Sequence, residues 1–94
     1  MLGVAAHIRA TSDSQELRDL LVQLGETARG EPGTLQWALF QTDELNFTIT
    51  EIFADQAAYQ THEDNPETLR LSGLLAPFLA GVDVHVGSVL AAKQ

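Results

Sequence analysis

The sequence predicts an α+β domain over residues 1–94, with four strands in an antiparallel sheet and helices on one face of that sheet. Two observations predict this fold. Apolar residues alternate with small or polar residues in four segments, as in strands, and recur at helical spacing between them. The segments follow the order strand, helix, two strands, one or two helices, strand. This order is the split βαβ arrangement of ferredoxin-like folds.

The first strand is predicted from Leu2 to Arg9 by strict alternation between its two faces. One face is apolar throughout: Leu2, Val4, Ala6 and Ile8. The other face is small or polar: Gly3, Ala5, His7 and Arg9.

The first helix is predicted from an apolar stripe that begins at Leu17 and runs to Ala28. The members of this stripe are Leu17, Leu20, Leu21, Leu24 and Ala28. Ser12 and Gln15 have the spacing of a capping box at the helix start. Gly30, followed by Pro32, ends the helix.

A hairpin follows, because two segments with period-two alternation flank a short polar turn. The segments run from Thr34 to Thr42 and from Phe47 to Phe53, and residues 43–46 form the turn.

Two short helices and a last strand complete the fold. Asp55 caps a helix that carries Ala57, Ala58, Tyr59 and His62. The run Asn65-Pro66-Glu67 starts a second helix that carries Leu71, Leu74, Leu75 and Phe78 and ends at Pro77 and Gly81. The last strand has Val82, Val84, Val86 and Leu90 on one face and Asp83, His85, Gly87 and Val89 on the other.

Helices on one side of a single sheet leave its other side without cover. We expect the uncovered side to include the apolar residues Leu2, Val4, Ala6 and Ile8. A second copy of the chain would cover it, so the sequence predicts a homodimer.

The composition excludes several classes of function. A net charge of −8 with five Lys and Arg residues does not suit a surface that follows nucleic-acid phosphates. The absence of Cys excludes disulfides, thiolate metal sites and a thiol nucleophile. The first ten residues lack the features of a signal peptide, and no apolar run is long enough to span a bilayer. We therefore expect a cytoplasmic protein without a membrane or nucleic-acid partner.

Four residues are candidates for proton chemistry: His7, Glu51, Tyr59 and His62. His62 follows Tyr59 by one helical turn, so the two share a face, and a neutral imidazole can take a proton from a phenol or quinol. Glu51 lies among apolar neighbours on its strand face, where a carboxylate needs a partner such as a histidine. His7 has small neighbours on its strand face, which indicates a cavity.

Each of these residues also has a structural interpretation. His62 and His7 can be ordinary hydrogen-bonded histidines, and Glu51 can lie at a sheet edge or a dimer contact. The three histidines lie on three different elements without ligand spacing, so no metal site is expected.

Several short segments resemble the antibiotic-biosynthesis-monooxygenase family, whose members are dimeric α/β barrels. The segments are Ala6-His7-Ile8, Glu31-Pro32-Gly33, residues 47–55 with Ala58 and His62, the Pro66 helix start, and residues 75–81. The resemblance covers essentially the whole chain.

The family includes cofactor-free oxygenases of anthrones or quinols, haem degraders, isomerases and proteins without known activity. The sequence looks closest to the quinol oxidisers, through Glu51, the aromatic Phe53 and His62. At the place of the haem degraders' axial His it has, approximately, Ser72, so no haem is expected. The positions that matter in anthrone oxidisers hold Ile49, Phe53 and Tyr59, and Arg70 lies near the fourth.

The resemblance implies a cofactor-independent monooxygenase of a phenolic, quinol or polyketide-like molecule, with molecular oxygen as co-substrate. His62 or His7 would take the proton and Tyr59 would bind the substrate oxygen. The residues expected to line the substrate site are Ile49, Phe53, Trp37 and Phe78. The alternatives are a non-catalytic ligand-binding or stress-response barrel, and an isomerase or cyclase.

Overall fold

The computed structural model describes residues 1–93 and confirms the predicted α+β fold. The elements are β1 Leu2–Ala10, α1 Gln15–Arg29, β2 Thr34–Asp43, β3 Asn46–Phe53, α2 Gln56–Asp64, α3 Pro66–Leu75, the short 3-10 helix Ala76–Phe78 and β4 Leu79–Ser88. The strands form one sheet in the order β2-β3-β1-β4, and every neighbouring pair is antiparallel. The helices pack on one face, which agrees with a ferredoxin-like arrangement.

Side-chain caps define the helix starts. The cap of α1 is Ser14, whose Oγ accepts a 3.2 Å hydrogen bond from the Leu17 amide, so the predicted capping box at Ser12 and Gln15 is wrong. The extended backbone at Ser14 points its hydroxyl at the free amides of the first turn. Asp55 caps α2 as predicted, with a 2.8 Å bond from Ala58, and Asn65 caps α3 ahead of Pro66.

The end of the last helical segment differs from the prediction. Helix α3 ends at Leu75, a 3-10 turn containing Pro77 follows, and β4 has already begun at Leu79. Gly81 lies inside β4, where it pairs with Arg9, because the strand needs these residues to reach the far end of β1. The strand ends at Ser88, so Leu90 lies outside it and is 96% exposed.

The predicted uncovered face was assigned to the wrong side of the sheet. Val4 and Ile8 are each 6% exposed, because their side of β1 is the side against which the helices pack. The uncovered face instead holds Ala5 and His7 of β1. An apolar strand face is buried by whichever layer is nearest, and within this chain that layer is the helices.

The helix-facing side contains the core. Its buried members come from strands β1 and β3 and from helices α1 and α3: Ile8, Ala10, Leu17, Leu20, Leu21, Phe47, Ile49, Leu71 and Leu75. Leu74, predicted to share this helix face, is 47% exposed.

Helix cover does not extend over β4. The register places Val82, Val84 and Val86 beside Ile8, Ala6 and Val4, on the helix-facing side. These three valines are nevertheless 46–52% exposed. We call them the valine shelf.

Candidate functional site

One row of side chains across the sheet sets the position of the site. Trp37 of β2 pairs with Glu51 of β3, Glu51 pairs with Val4 of β1, and Val4 pairs with Val86 of β4. All four therefore point to the helix-facing side. Glu51 is 9% exposed in this row.

Helix α2 brings two aromatic rings over the end of β3. Its Asp55 cap and helical period place Tyr59 and His62 one turn apart on the side that faces the sheet. The Phe53 ring centroid lies 5.2 Å from that of Tyr59 and 5.1 Å from that of His62. His62 is 6% exposed, so the α2 histidine is a core residue.

Two carboxylates flank the buried imidazole. His62 Nδ1 lies 2.7 Å from Glu31 Oε1, and Nε2 lies 3.3 Å from Glu51 Oε1. The three side chains are each about one-tenth exposed or less. We call the side chains of Glu31, His62 and Glu51 the proton relay, because these three titratable groups contact one another where water is scarce.

Glu31 lies in the turn after α1, and this turn places its carboxylate beside His62. Glu31 Oε1 also accepts a hydrogen bond from the Thr34 hydroxyl at 3.1 Å, and Oε2 accepts one from Asn65 Nδ2 at 2.9 Å. Gly33 lets this turn approach α2, because a Cβ there would lie 2.5 Å from the Ala58 Cβ. The Gly33 carbonyl accepts a 2.9 Å bond from the Ala54 amide, which anchors the turn to the end of β3.

The pKa values of the two carboxyl groups in the relay are shifted in opposite directions. Burial raises the pKa of Glu51, against the opposing effects of the His62 charge and a hydrogen bond from Trp37. Burial also acts to raise the pKa of Glu31, but the hydrogen bonds from Asn65 and His62 outweigh it and the pKa is lowered. Glu31 is thus the fixed anion, and Glu51 is the carboxyl that takes a proton more readily.

Tyr59 lies beside the Glu51 end of the relay. Burial raises the pKa of its hydroxyl, and the negative charges of Glu63 and Glu51, together with the hydrogen bond that the hydroxyl donates to Glu63, raise it further. Tyr59 therefore remains a protonated hydrogen-bond donor at neutral pH.

The indole of Trp37, on β2, packs against α1 at the same end of the sheet. A Cβ on Gly25 would lie 2.5 Å from a Trp37 ring carbon, so the glycine in α1 makes room for the indole. Trp37 also donates to Glu51, and thus connects the packing of α1 to the relay.

The other predicted site residues lie apart from this group. His7 is on the opposite face, where its Nε2 lies 3.0 Å from Asn46 Oδ1. Asn46 in turn donates to Asp43 at 2.8 Å. Ile49 is a 6% exposed core residue, and Phe78 packs against the edge of that core. The structure thus brings together Glu51, Phe53, Tyr59, His62 and Trp37, and leaves out His7.

Two surface clefts lie near the relay, and one of them is lined by a relay residue. Glu31 and Asn65 line an open cleft of about 700 Å3 between the turn after α1 and helix α2. Trp37 lines another cleft of about 560 Å3, between α1 and β2. Neither cleft is lined by His62, Glu51 or Tyr59.

Sequence reasoning missed Glu31 and Asn65 as site residues. They lie 31 and 3 positions from His62, in a turn and at a helix boundary. The local signals were turn chemistry and a helix cap, which do not indicate a buried contact. In residues 1–93, no group of three or more His, Asp and Glu side chains is arranged to hold a metal ion. The helices described are also too short or too polar to cross a membrane.

Comparisons with known proteins agree with this architecture. The model of the family described as antibiotic biosynthesis monooxygenase matches residues 1–72. The structure of PA3566 from Pseudomonas aeruginosa is similar at 30% identity, with a TM-score of 0.86 over 96% of this chain and 94% of that one. Another structure, of an antibiotic biosynthesis monooxygenase, is 26% identical, with a TM-score of 0.83 over 97% of this chain and 100% of that one.

A more distant structure is similar in fold alone. SnoaB, a cofactor-independent oxygenase from Streptomyces nogalater, is 10% identical, with a TM-score of 0.85 over 97% of this chain and 94% of that one. Among curated proteins, none matches the chain.

Proposed function

The chain belongs to the antibiotic biosynthesis monooxygenase family, and from this premise we propose that it is a cofactor-independent monooxygenase of a phenolic, quinol or polyketide-like aromatic molecule. The observation that carries the proposal is the buried proton relay of Glu31, His62 and Glu51. A buried base suits this chemistry, because a phenolate or quinolate transfers electrons to oxygen far more readily than the neutral molecule does.

The relay favours Glu51 and His62 acting together as the base. Both nitrogens of His62 face carboxylates, so the imidazole cannot meet a substrate directly in this arrangement. In this proposal the 3.3 Å contact between Nε2 and Glu51 shares one proton between the two groups. When that proton is absent, the relay carries two buried negative charges and one neutral imidazole, which makes it a ready acceptor.

The substrate would lie on the helix-facing side, between Tyr59 and the valine shelf. Val86 is in the same cross-strand row as Glu51, and it is 49% exposed. An exposed apolar shelf on the same side of the sheet as the aromatic rings suits a flat aromatic ligand. Tyr59, protonated at neutral pH, would donate a hydrogen bond to the substrate oxygen in place of the one that it donates to Glu63.

The reaction balances without an added reductant. For a quinol, one oxygen atom of O2 enters the ring as a hydroxyl and the other leaves as water, giving a hydroxyquinone. One ring C–H bond, two phenolic O–H bonds and the O–O bond break. The substrate supplies all four electrons that reduce O2, and the relay transfers only protons.

Oxygen uptake tests this function. Purified protein is mixed with a panel of hydroquinones and anthrones, and oxygen consumption and product mass are followed. We expect one panel member to be turned over with incorporation of one oxygen atom from O2. Absence of uptake above the buffer rate across the panel would contradict the proposal.

One observation favours a second candidate, a non-catalytic ligand-binding protein of the same fold. Both carboxylate oxygens of Glu31 already have hydrogen-bond partners within the protein, as in a structural network. This candidate predicts that a panel member binds, by calorimetry or fluorescence of Trp37, without oxygen uptake. An isomerase or cyclase would instead convert a ligand without consuming oxygen.

The proposal includes a homodimer formed through the uncovered face. That face carries Phe40, which is 48% exposed, together with the exposed residues Ala5 and Ala38. A specific dimer buries roughly 1,200–2,000 Å2 in total, which a four-stranded face can supply.

A further inference from the structure

We propose that Glu31 is a positioning residue that fixes the proton of His62 on Nδ1, and so leaves Nε2 as the nitrogen that exchanges a proton with Glu51. This inference rests on the proposed function, because it assigns the direction in which the relay moves a proton. It assigns a role in the reaction to Glu31, which contacts His62 and would not touch the substrate beside Tyr59.

The two contacts of His62 differ in length. Nδ1 lies 2.7 Å from Glu31, which is typical of a hydrogen bond to a charged acceptor. Nε2 lies 3.3 Å from Glu51, a longer and looser contact. An ionised carboxylate only accepts, so the short contact places a hydrogen on Nδ1.

Glu31 cannot turn away from this contact. Its Oε1 is also held by the Thr34 hydroxyl at 3.1 Å, and its Oε2 by Asn65 Nδ2 at 2.9 Å. The orientation of Asn65 is itself fixed, because its Oδ1 accepts a 3.0 Å hydrogen bond from the Glu67 amide. The Asn65 side chain therefore has to present its NH2 group to residue 31.

This fixed amide makes Glu31→Gln an informative change. The Gln oxygen has to stay opposite the Asn65 NH2, because two NH2 groups repel each other. The Gln NH2 then faces His62 Nδ1, which has to accept a hydrogen bond. We therefore expect the substitution to invert the tautomer, with the hydrogen of neutral His62 on Nε2 and no lone pair facing Glu51.

The charged and titratable groups around His62 are those of the relay and its neighbours. Glu31 and Glu51 contact His62 directly, and Glu63 and the Tyr59 hydroxyl interact with Glu51. Glu31→Gln changes one of them and leaves the other three in place.

Nitrogen-15 NMR of the imidazole tests the inference without a substrate. The His62 signals are recorded across a pH titration, to the pH at which the ring is neutral. The wild-type protein should show a protonated Nδ1 and an unprotonated Nε2, and Glu31→Gln should show the reverse. The control Glu26→Gln, on an exposed carboxylate of α1, should match the wild type.

Two results would overturn the inference: a wild-type His62 with its hydrogen on Nε2, or a Glu31→Gln protein with the wild-type tautomer. The wild-type spectrum needs no variant, so the inference remains falsifiable if Glu31→Gln does not fold. Failure of the proposed function appears separately, as absence of oxygen uptake by wild-type protein. With an active substrate, Glu31→Gln should lower kcat by about 10²–10⁴-fold, as expected for a wrong tautomer, with little change in KM.

Discussion

His7 and His62 lie on opposite faces of the same sheet. His62 is buried under α2 between Glu31 and Glu51, whereas His7 contacts Asn46 on the face without helices. The two histidines therefore cannot serve one substrate pocket within a single chain, although the sequence alone left either of them as the base.

This separation predicts unequal effects of matched substitutions on turnover. His62→Gln should lower turnover by roughly 10²–10⁴-fold, because it removes the group that shares a proton with Glu51. His7→Gln should retain a rate near that of the wild type. The measurement is oxygen uptake on the substrate found in the panel. A large loss in His7→Gln with little loss in His62→Gln would reverse the assignment.

Glu31 should stabilise the fold at neutral pH but not in acid. Its pKa is lowered in the folded protein, so its contribution is present above the ordinary pKa of a glutamate and is lost as pH falls through the lowered value. Glu31→Gln should cost about 1–3 kcal/mol at neutral pH, since the buried hydrogen-bond network loses its negative charge and one of its two acceptor oxygens. Urea unfolding near neutral pH and near about pH 3 should show this difference shrinking in acid.

Glu51 should show the opposite pH dependence. Burial raises its pKa, so its favourable contribution is present below the ordinary pKa of a glutamate and is lost as pH rises through the raised value. Glu51→Gln cannot ionise, and its stability relative to the wild type should therefore improve as pH rises. Thermal unfolding of both proteins across the same pH series measures this, and a difference that grows in the other direction would refute it.

The packing of Trp37 predicts different outcomes for two helix glycines. Gly25→Ala places a methyl group 2.5 Å from the indole and should destabilise the protein by about 1–3 kcal/mol, despite the better helix propensity of alanine. Gly73→Ala in α3 meets no atom within 4 Å and should stabilise by roughly 0.5–1 kcal/mol. Denaturant unfolding followed by Trp37 fluorescence compares the two.

The uncovered face predicts how the oligomer responds to charge. Phe40→Glu should convert the proposed dimer, of twice 10.2 kDa, into a monomer, because it places a carboxylate in the interface. Leu69→Glu, at a 59% exposed position on α3, is the matched control and should leave the mass unchanged. Light scattering after size-exclusion chromatography gives both masses. A wild-type protein that is monomeric at micromolar concentration would contradict the dimer itself.

The order and type of the elements could be predicted from the sequence, because local patterns carry that information. Alternation over Leu2 to Arg9 and the stripe from Leu17 to Ala28 correspond to β1 and α1. Local patterns do not fix an element boundary where several neighbouring residues offer the same chemistry. The cap was predicted at Ser12, but Ser14 carries the same hydroxyl group, and only the path of the chain after β1 places Ser14 at the helix start.

The sequence by itself determined the fold class, the helix caps at Asp55 and Asn65, and the shared face of Tyr59 and His62, because each depends on residues within a few positions of one another. The tertiary structure alone decided which sheet face the helices cover, that His7 is excluded from the relay, and that Glu31 is included in it. These outcomes depend on strand register and on contacts between residues 31 or more positions apart. Such contacts form when the helix layer packs on the sheet. A local sequence pattern therefore does not indicate which distant side chain will lie beside a buried imidazole.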